Sequence, residues 1–128
     1  MKTLKSQRGS ILIELVMVCL LLVTITLGVT DIVNLIRADI YLHKVVREGA
    51  RGASLTGSIE AGRKIAYDSA GQYFVTSLPE ITFNEPKTNV VCEADYIYKH
   101  FSFLNTNGLG GTDLDAKAIY PWWDENTQ

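Results

Sequence analysis

Ile11–Thr30, read ILIELVMVCLLLVTITLGVT, is twenty residues long and holds one charged side chain, Glu14. Twenty helical residues rise about 30 Å, the thickness of a bilayer's hydrocarbon core. A lone carboxylate in such a run costs about 2.5–3.5 kcal/mol to insert. An ionisable residue inside a spanning segment is a functional residue by default, and the expected partner of Glu14 lies on another molecule. Its nearness to the start of the run also allows it to snorkel toward headgroups before any partner arrives. A secretory signal peptide would carry a shorter apolar region and a small-residue cleavage site, whereas this run ends Leu27-Gly28-Val29-Thr30-Asp31. A plain anchor accounts for the length and leaves Glu14 unexplained.

The chain has 128 residues and a formal net charge of −2, which argues against a nucleic-acid partner. Lys2, Lys5 and Arg8 precede the apolar run with no acid among residues 1–9, so the rest of the chain carries nine basic and fourteen acidic residues, a net −5. Basic residues before a span stay cytoplasmic, which directs the remainder outward. Of the two cysteines, Cys19 lies within the run and Cys92 far outside it, so an intrachain disulfide is not expected. The neighbours of Cys92 (Val90, Val91, Ala94) favour burial as a small apolar residue.

The junction Arg8-Gly9-Ser10-Ile11-Leu12-Ile13-Glu14-Leu15 resembles the processing site of type IV prepilins. The resemblance implies cleavage after Gly9 by a prepilin peptidase, which makes Ser10 the new N-terminus, methylated on its amine. Glu14 then becomes the fifth residue, able to neutralise the amine of a neighbouring subunit. Lys2, Lys5 and Arg8 supply the leader charge. Such a pair sets axial register more than it adds net stability. Tad-system substrates commonly carry tyrosine or phenylalanine after the glutamate; here Leu15 follows, closer to ordinary type IV pilins.

After Thr30 the apolar residues Ile32, Leu35, Ile36, Ile40, Tyr41, Val45 and Val46 recur near helical spacing. No proline occurs before Pro79. One helix is expected from about Ser10 to about Leu55, nearly 70 Å at about 1.5 Å per residue. It is apolar all round at first and amphipathic later. Asp39 with His43, and Lys44 with Glu48, stand four apart. Thr56-Gly57-Ser58 should end it. The stretch Arg47-Glu48-Gly49-Ala50-Arg51-Gly52-Ala53-Ser54 is similar to the signature that follows the membrane helix in TadE-like pseudopilins of the tight-adherence (Flp/Tad) pilus system.

A second helix is expected over Ile59–Leu78, with Ser58 as N-cap, Glu60 in the first turn and paired to Lys64, and Pro79 as its end. Its stripe is Ile59, Gly62, Ile65, Ala66, Ser69, Ala70, Tyr73 and Phe74. The period then changes to two. Val90, Cys92, Ala94, Tyr96 and Tyr98 alternate with Val91, Glu93, Asp95, Ile97 and Lys99, and Leu114, Ala116, Ala118 and Tyr120 with Asp113, Asp115 and Lys117. Ile81-Thr82-Phe83 is a short third strand before a turn at Asn84–Lys87. The fold class is α+β: a long membrane-spanning helix, a second amphipathic helix and a small antiparallel sheet. Residues 1–9 are the leader, 10–55 the long helix and 56–128 the exported part.

No residue pattern points to catalysis. His43 and His100 lie in no metal-ligand or nucleophile pattern. The Asn105–Asp115 loop offers oxygens but lacks calcium-loop spacing, and reads as a turn between strands. Trp122-Trp123 suits an interface anchor, a contact surface or packing onto the helices. Arg47 and Arg51 read as a solvated basic face, with lipid headgroups or an acidic neighbour as alternatives. The expectation is a non-enzymatic structural subunit, pilin or minor pseudopilin, of a type IV/Tad-like pilus for adhesion or surface attachment, without cofactor. Its partners would be other pilin subunits, the prepilin peptidase, the inner-membrane assembly platform and membrane lipid. It would sit in the inner membrane as a single-pass precursor and later in the extracellular filament. The alternative is a single-pass anchored binding domain that does not polymerise.

Overall fold

The computed structural model describes residues 3–84, 88–100 and 111–122, with side chains from Gly9 onward. It contains helices α1 (Thr3–Thr56) and α2 (Ile59–Tyr73) and strands β1 (Glu80–Asn84), β2 (Asn89–Tyr98) and β3 (Thr112–Pro121). The α+β class and the order of elements agree with the sequence. The chain divides into two units, Met1–Asn34 and Leu35–Gln128, and α1 contributes to both.

In the first unit the helix is apolar on every side. The large apolar side chains from Ile11 to Leu22 are half or more exposed. The polar hydroxyls of the run are absorbed by the helix itself. Thr24, Thr26 and Thr30 each donate to the carbonyl four residues back, at 2.9, 2.8 and 2.8 Å.

In the second unit, α1 and α2 cover one face of a three-stranded antiparallel meander in the order β1-β2-β3. Gly57 ends α1 with φ +62°, a conformation that glycine takes without strain. Ser58 caps α2 by accepting from the Ala61 amide. The two helices meet through small residues. A Cβ on Gly62 would lie 2.5 Å from Ala53 Cβ and 2.7 Å from the Gly49 carbonyl oxygen. One on Gly49 would lie 2.8 Å from Ala66 Cβ and 3.3 Å from Phe83 Cζ of β1. Gly49 with Ala53, and Gly62 with Ala66, are each four apart and so share a face of their helix. The inner sheet face is also small-sided: Cys92, Ala94, Ala116 and Ala118 meet Leu42, Val45, Val46, Ala50, Ala70 and Phe74.

Two expectations need correction. The second helix ends at Tyr73, with the Phe74 amide bonded to the Ala70 carbonyl at 2.8 Å, and does not reach Leu78. Val75 and Thr76 are β-branched, and Val75 is 90 % exposed, so no packing compensates their poor helix propensity. The buried stripe of α1 also differs. It runs through Ala38, Leu42, Val45, Val46, Gly49, Ala50 and Ala53, while Ile32, Ile36 and Ile40 are 58 %, 53 % and 57 % exposed. Apolar residues lie on both sides of α1, and periodicity alone does not say which side meets the sheet. The Glu60–Lys64 ion pair does not form. The Asn84–Lys87 turn beyond Asn84, the loop from Asn105 to Gly110, and Trp123 lie outside the described residues.

Register sets the outer sheet face. Glu80 lies opposite Asp95, and Asp95 opposite Asp115, so three exposed carboxylates form one row across the strands. Lys117 pairs with Glu93 at 2.5 Å one row away.

Two substitutions test this packing. Gly62→Ala drives a Cβ into backbone atoms of α1, and the helix-propensity gain of about 1 kcal/mol offsets only part of an overpacking cost of about 1–3 kcal/mol. Gly52→Ala meets chiefly the movable Cδ1 of Ile65 and should be close to neutral. Thermal unfolding of the full chain in detergent should show a lower Tm for the first alone. Asp95→Asn relieves like charges directly opposite one another and should stabilise the domain by about 0.2–1 kcal/mol in the same assay.

Candidate functional site

Gly9, Ser10 and Glu14 all lie on α1, which runs unbroken through the Gly9–Ser10 bond. All three are exposed, and nothing lies within 4 Å of a Cβ built at Gly9. Ser10 and Glu14 are four apart and share one face of the helix. Among the described residues, Glu14 makes no hydrogen bond or ion pair. The side chains of Lys2, Lys5 and Arg8 lie outside the described set. The helix from Gly9 onward is long and apolar enough to cross a membrane.

A second constellation joins the downstream part of α1 to α2, and only its Lys44–Glu48 spacing is visible in the sequence. Lys44 Nζ donates to Tyr73 Oη at 2.6 Å and stands 4.9 Å from that ring's centroid. Tyr73 in turn stacks on Tyr41, with centroids 4.4 Å apart. Glu48 accepts from Ser69 Oγ and sits 3.8 Å from Lys44. The hydrogen bond to Tyr73, and then its charge, holds the Lys44 ammonium above its ordinary range. This cluster clips the helices together, with Ser69 buried, Tyr41, Glu48 and Tyr73 half-buried and Lys44 exposed. Partners 21–32 residues apart leave no periodic trace in sequence.

The remaining candidates resolve into structural roles. His43 Nδ1 lies 3.1 Å from the Asp39 carbonyl, and His100 Nε2 lies 2.7 Å from Thr112 Oγ1. Among the described residues no group of His, Cys, Asp and Glu is arranged to hold a metal. Gly111 closes the β2–β3 connection, where a Cβ would lie 2.5 Å from the Tyr98 carbonyl oxygen. Ser54 donates to the Pro121 carbonyl at 2.6 Å, and the Trp122 amide to the Thr88 carbonyl at 3.1 Å. The end of β3 is thereby tied to α1, the packing alternative for this segment.

Cys92 is fully buried, and burial, then the neighbouring Glu93 carboxylate, pushes its thiol up from 9.0 to about 12. The thiolate is the reactive form, so this cysteine is inert in the fold.

Residues 9–51 match the family model described as TadE-like protein. The matched stretch begins at Gly9, includes Glu14 and extends to Arg51. It takes in the apolar run and the first part of the Arg47–Ser54 signature, so the resemblance read from the sequence is to the same family. No curated protein and no solved structure matches the chain. The TadE-like match and the apolar helix point to a pilus-related membrane protein.

The raised thiol pKa gives a signed prediction. Cys92 stabilises the fold fully below pH 9, and that contribution is lost as pH rises from 9 toward 12, because only the unfolded chain ionises there. The difference in Tm between wild type and Cys92→Ala should therefore shrink across that window, and iodoacetamide should label Cys92 only after unfolding.

Proposed function

We propose that the protein is a structural subunit, pilin or minor pseudopilin, of a Tad-like pilus. A prepilin peptidase removes Met1–Gly9, and the apolar helix then carries the subunit first in the membrane and afterwards in the filament. The observation that carries this reading is an all-round apolar surface from Ile11 to Val29 interrupted by one carboxylate without a partner among the described residues. An anchor alone needs the apolar surface and gains nothing from Glu14, which costs insertion energy. A subunit that packs many such helices together needs a cation for it, and cleavage before Ser10 creates one as an amine. Each helix then offers a positive end and a negative side chain one turn apart, so neighbouring copies satisfy one another.

Gly9 supports the processing step, because glycine weakens a helix by about 1 kcal/mol relative to alanine where the chain must open for hydrolysis. The functional consequence would be surface attachment by the assembled filament, with other subunits and an inner-membrane assembly platform as partners. No step requires a cofactor or an enzymatic group.

The intact mass and N-terminal sequence of membrane-fraction protein test the processing. A chain beginning at Ser10, methylated on its amine, is expected only when the peptidase is present; retention of Met1–Gly9 in both conditions contradicts the reading. Glu14→Ala removes one partner of a desolvated pair, a loss of about 3–5 kcal/mol, and should lower incorporation into filaments by more than about a hundredfold. Wild-type incorporation of that variant would remove Glu14 from the assembly contact, and absence of the wild-type chain from filaments would return it to a simple anchor.

A further inference from the structure

The domain Leu35–Gln128 carries two unlike faces on its opposite sides. On α1, Arg37, Ile40, Lys44, Arg47 and Arg51 follow one another at intervals of three, four, three and four residues, which places them on a single stripe. The buried stripe through Leu42, Val45 and Gly49 occupies the other side of the same helix, against the sheet. Lys44 is engaged with Tyr73 and Glu48, whereas Arg37, Arg47 and Arg51 are exposed and have no acidic partner among the described residues. Ile40, Lys44 and Arg47 line an open hollow on this face together with His43 and the carboxylates Asp39 and Glu48, which pair with His43 and Lys44.

The outer face of the sheet has the opposite sign. Glu80, Asp95 and Asp115 stand in one row, and Asp113 follows two residues before Asp115 on β3. All four are exposed, and among the described residues none has a basic partner; Lys117 is taken by Glu93. Like charges directly opposite one another destabilise a sheet, so the isolated domain bears a cost that a cationic neighbour would remove. Two large apolar residues, Ile97 and Ile119, stand exposed on the same face, and Ile36 and Ile40 are exposed on the helix side. Each face thus has apolar area at hand for a contact whose charges specify orientation.

We propose that the basic stripe of α1 docks on the acidic sheet face of a second copy of this chain, Arg47 and Arg51, about 6 Å apart along the helix, meeting the row of Glu80, Asp95 and Asp115. The occupant is argued from the chain's own charge complementarity. Because the two faces lie on opposite sides of one domain, the contact is heterologous, and repeating it builds an open array. As a contact between exported domains within a filament, it rests on the subunit reading above and adds to it a second contact, independent of the apolar helix.

The test uses the full chain in detergent, in two differently tagged copies. Asp95→Lys with Asp115→Lys makes one variant and Arg47→Glu with Arg51→Glu the other. Each variant alone should co-purify with itself at least about tenfold less than wild type does. Mixed, the two variants regain both contacts, lysine sheet on glutamate helix and arginine helix on aspartate sheet, and should co-purify near the wild-type level. Each variant self-associating like wild type, or a mixture that stays apart, overturns the proposal. Wild-type self-association should also fall steeply between low and high salt as the charges are screened, and salt-independent association overturns it without any variant. Unchanged self-association with altered flotation on vesicles of anionic phospholipid would assign the stripe to headgroups, and likewise overturns it. Glu14→Ala in the same filament assay separates the two ideas. Filaments lost with Glu14→Ala yet indifferent to charge exchange remove the docking alone. Charge-exchange rescue alongside absence of the wild-type chain from filaments keeps the docking and removes the pilus reading.

Discussion

The close approach of α1 and α2 is the contact on which the domain depends. With no side chain at Gly49 and Gly62, the helix backbones come near enough for Ala53 and Ala66 to fill the seam. Phe83 of β1 reaches the same point of Gly49, so one missing side chain admits both the second helix and the edge strand. A bulky residue there would lift α2 and β1 together. The Ala- and Cys-lined sheet face follows the same logic, since a small-sided sheet lets α1 lie close and fills the core largely with the branched residues of one helix. Close packing of this kind tolerates little volume change.

That arrangement divides the labour along α1. Upstream, the helix offers apolar side chains in all directions and relies on its surroundings to cover them. Downstream, one stripe meets the sheet and the other stays exposed. The Arg47–Ser54 signature sits where the helix meets α2, and its glycines and alanines serve the seam while Arg47 and Arg51 remain outside. The signature is therefore a packing motif on one side and a charged surface on the other.

The alternating strands were legible because each has one buried face, which imposes a period of two: Val90 to Tyr98 and Leu114 to Tyr120 took the faces their pattern implied. The start of α2 was legible from Ser58 and Gly57, whose local chemistry does not depend on the rest of the fold. The buried side of α1 was not, since Ile36 and Ile40 compete with Leu42 and Val45 for the core and only the sheet's position decides between them. The end of α2 at Tyr73 was missed because Pro79 marks a limit for a helix, whereas Val75 and Thr76 end it sooner. Gly9, Ser10 and Glu14 could be singled out because their relation is a spacing in the chain. The Lys44–Tyr73–Tyr41 clip and the Glu80–Asp95–Asp115 row exist only once distant segments are brought into register.

The three threonines of the apolar run spend their hydroxyls on their own helix carbonyls. Such bonds leave no donor seeking a partner in hydrocarbon, where an unmet polar group costs several kcal/mol. Helices of this composition can therefore rotate and slide against one another without meeting a polar obstacle at those positions. Were such helices packed together, the resistance to sliding over Ile11–Thr30 would be concentrated at Glu14, a single detent near one end of a smooth rod.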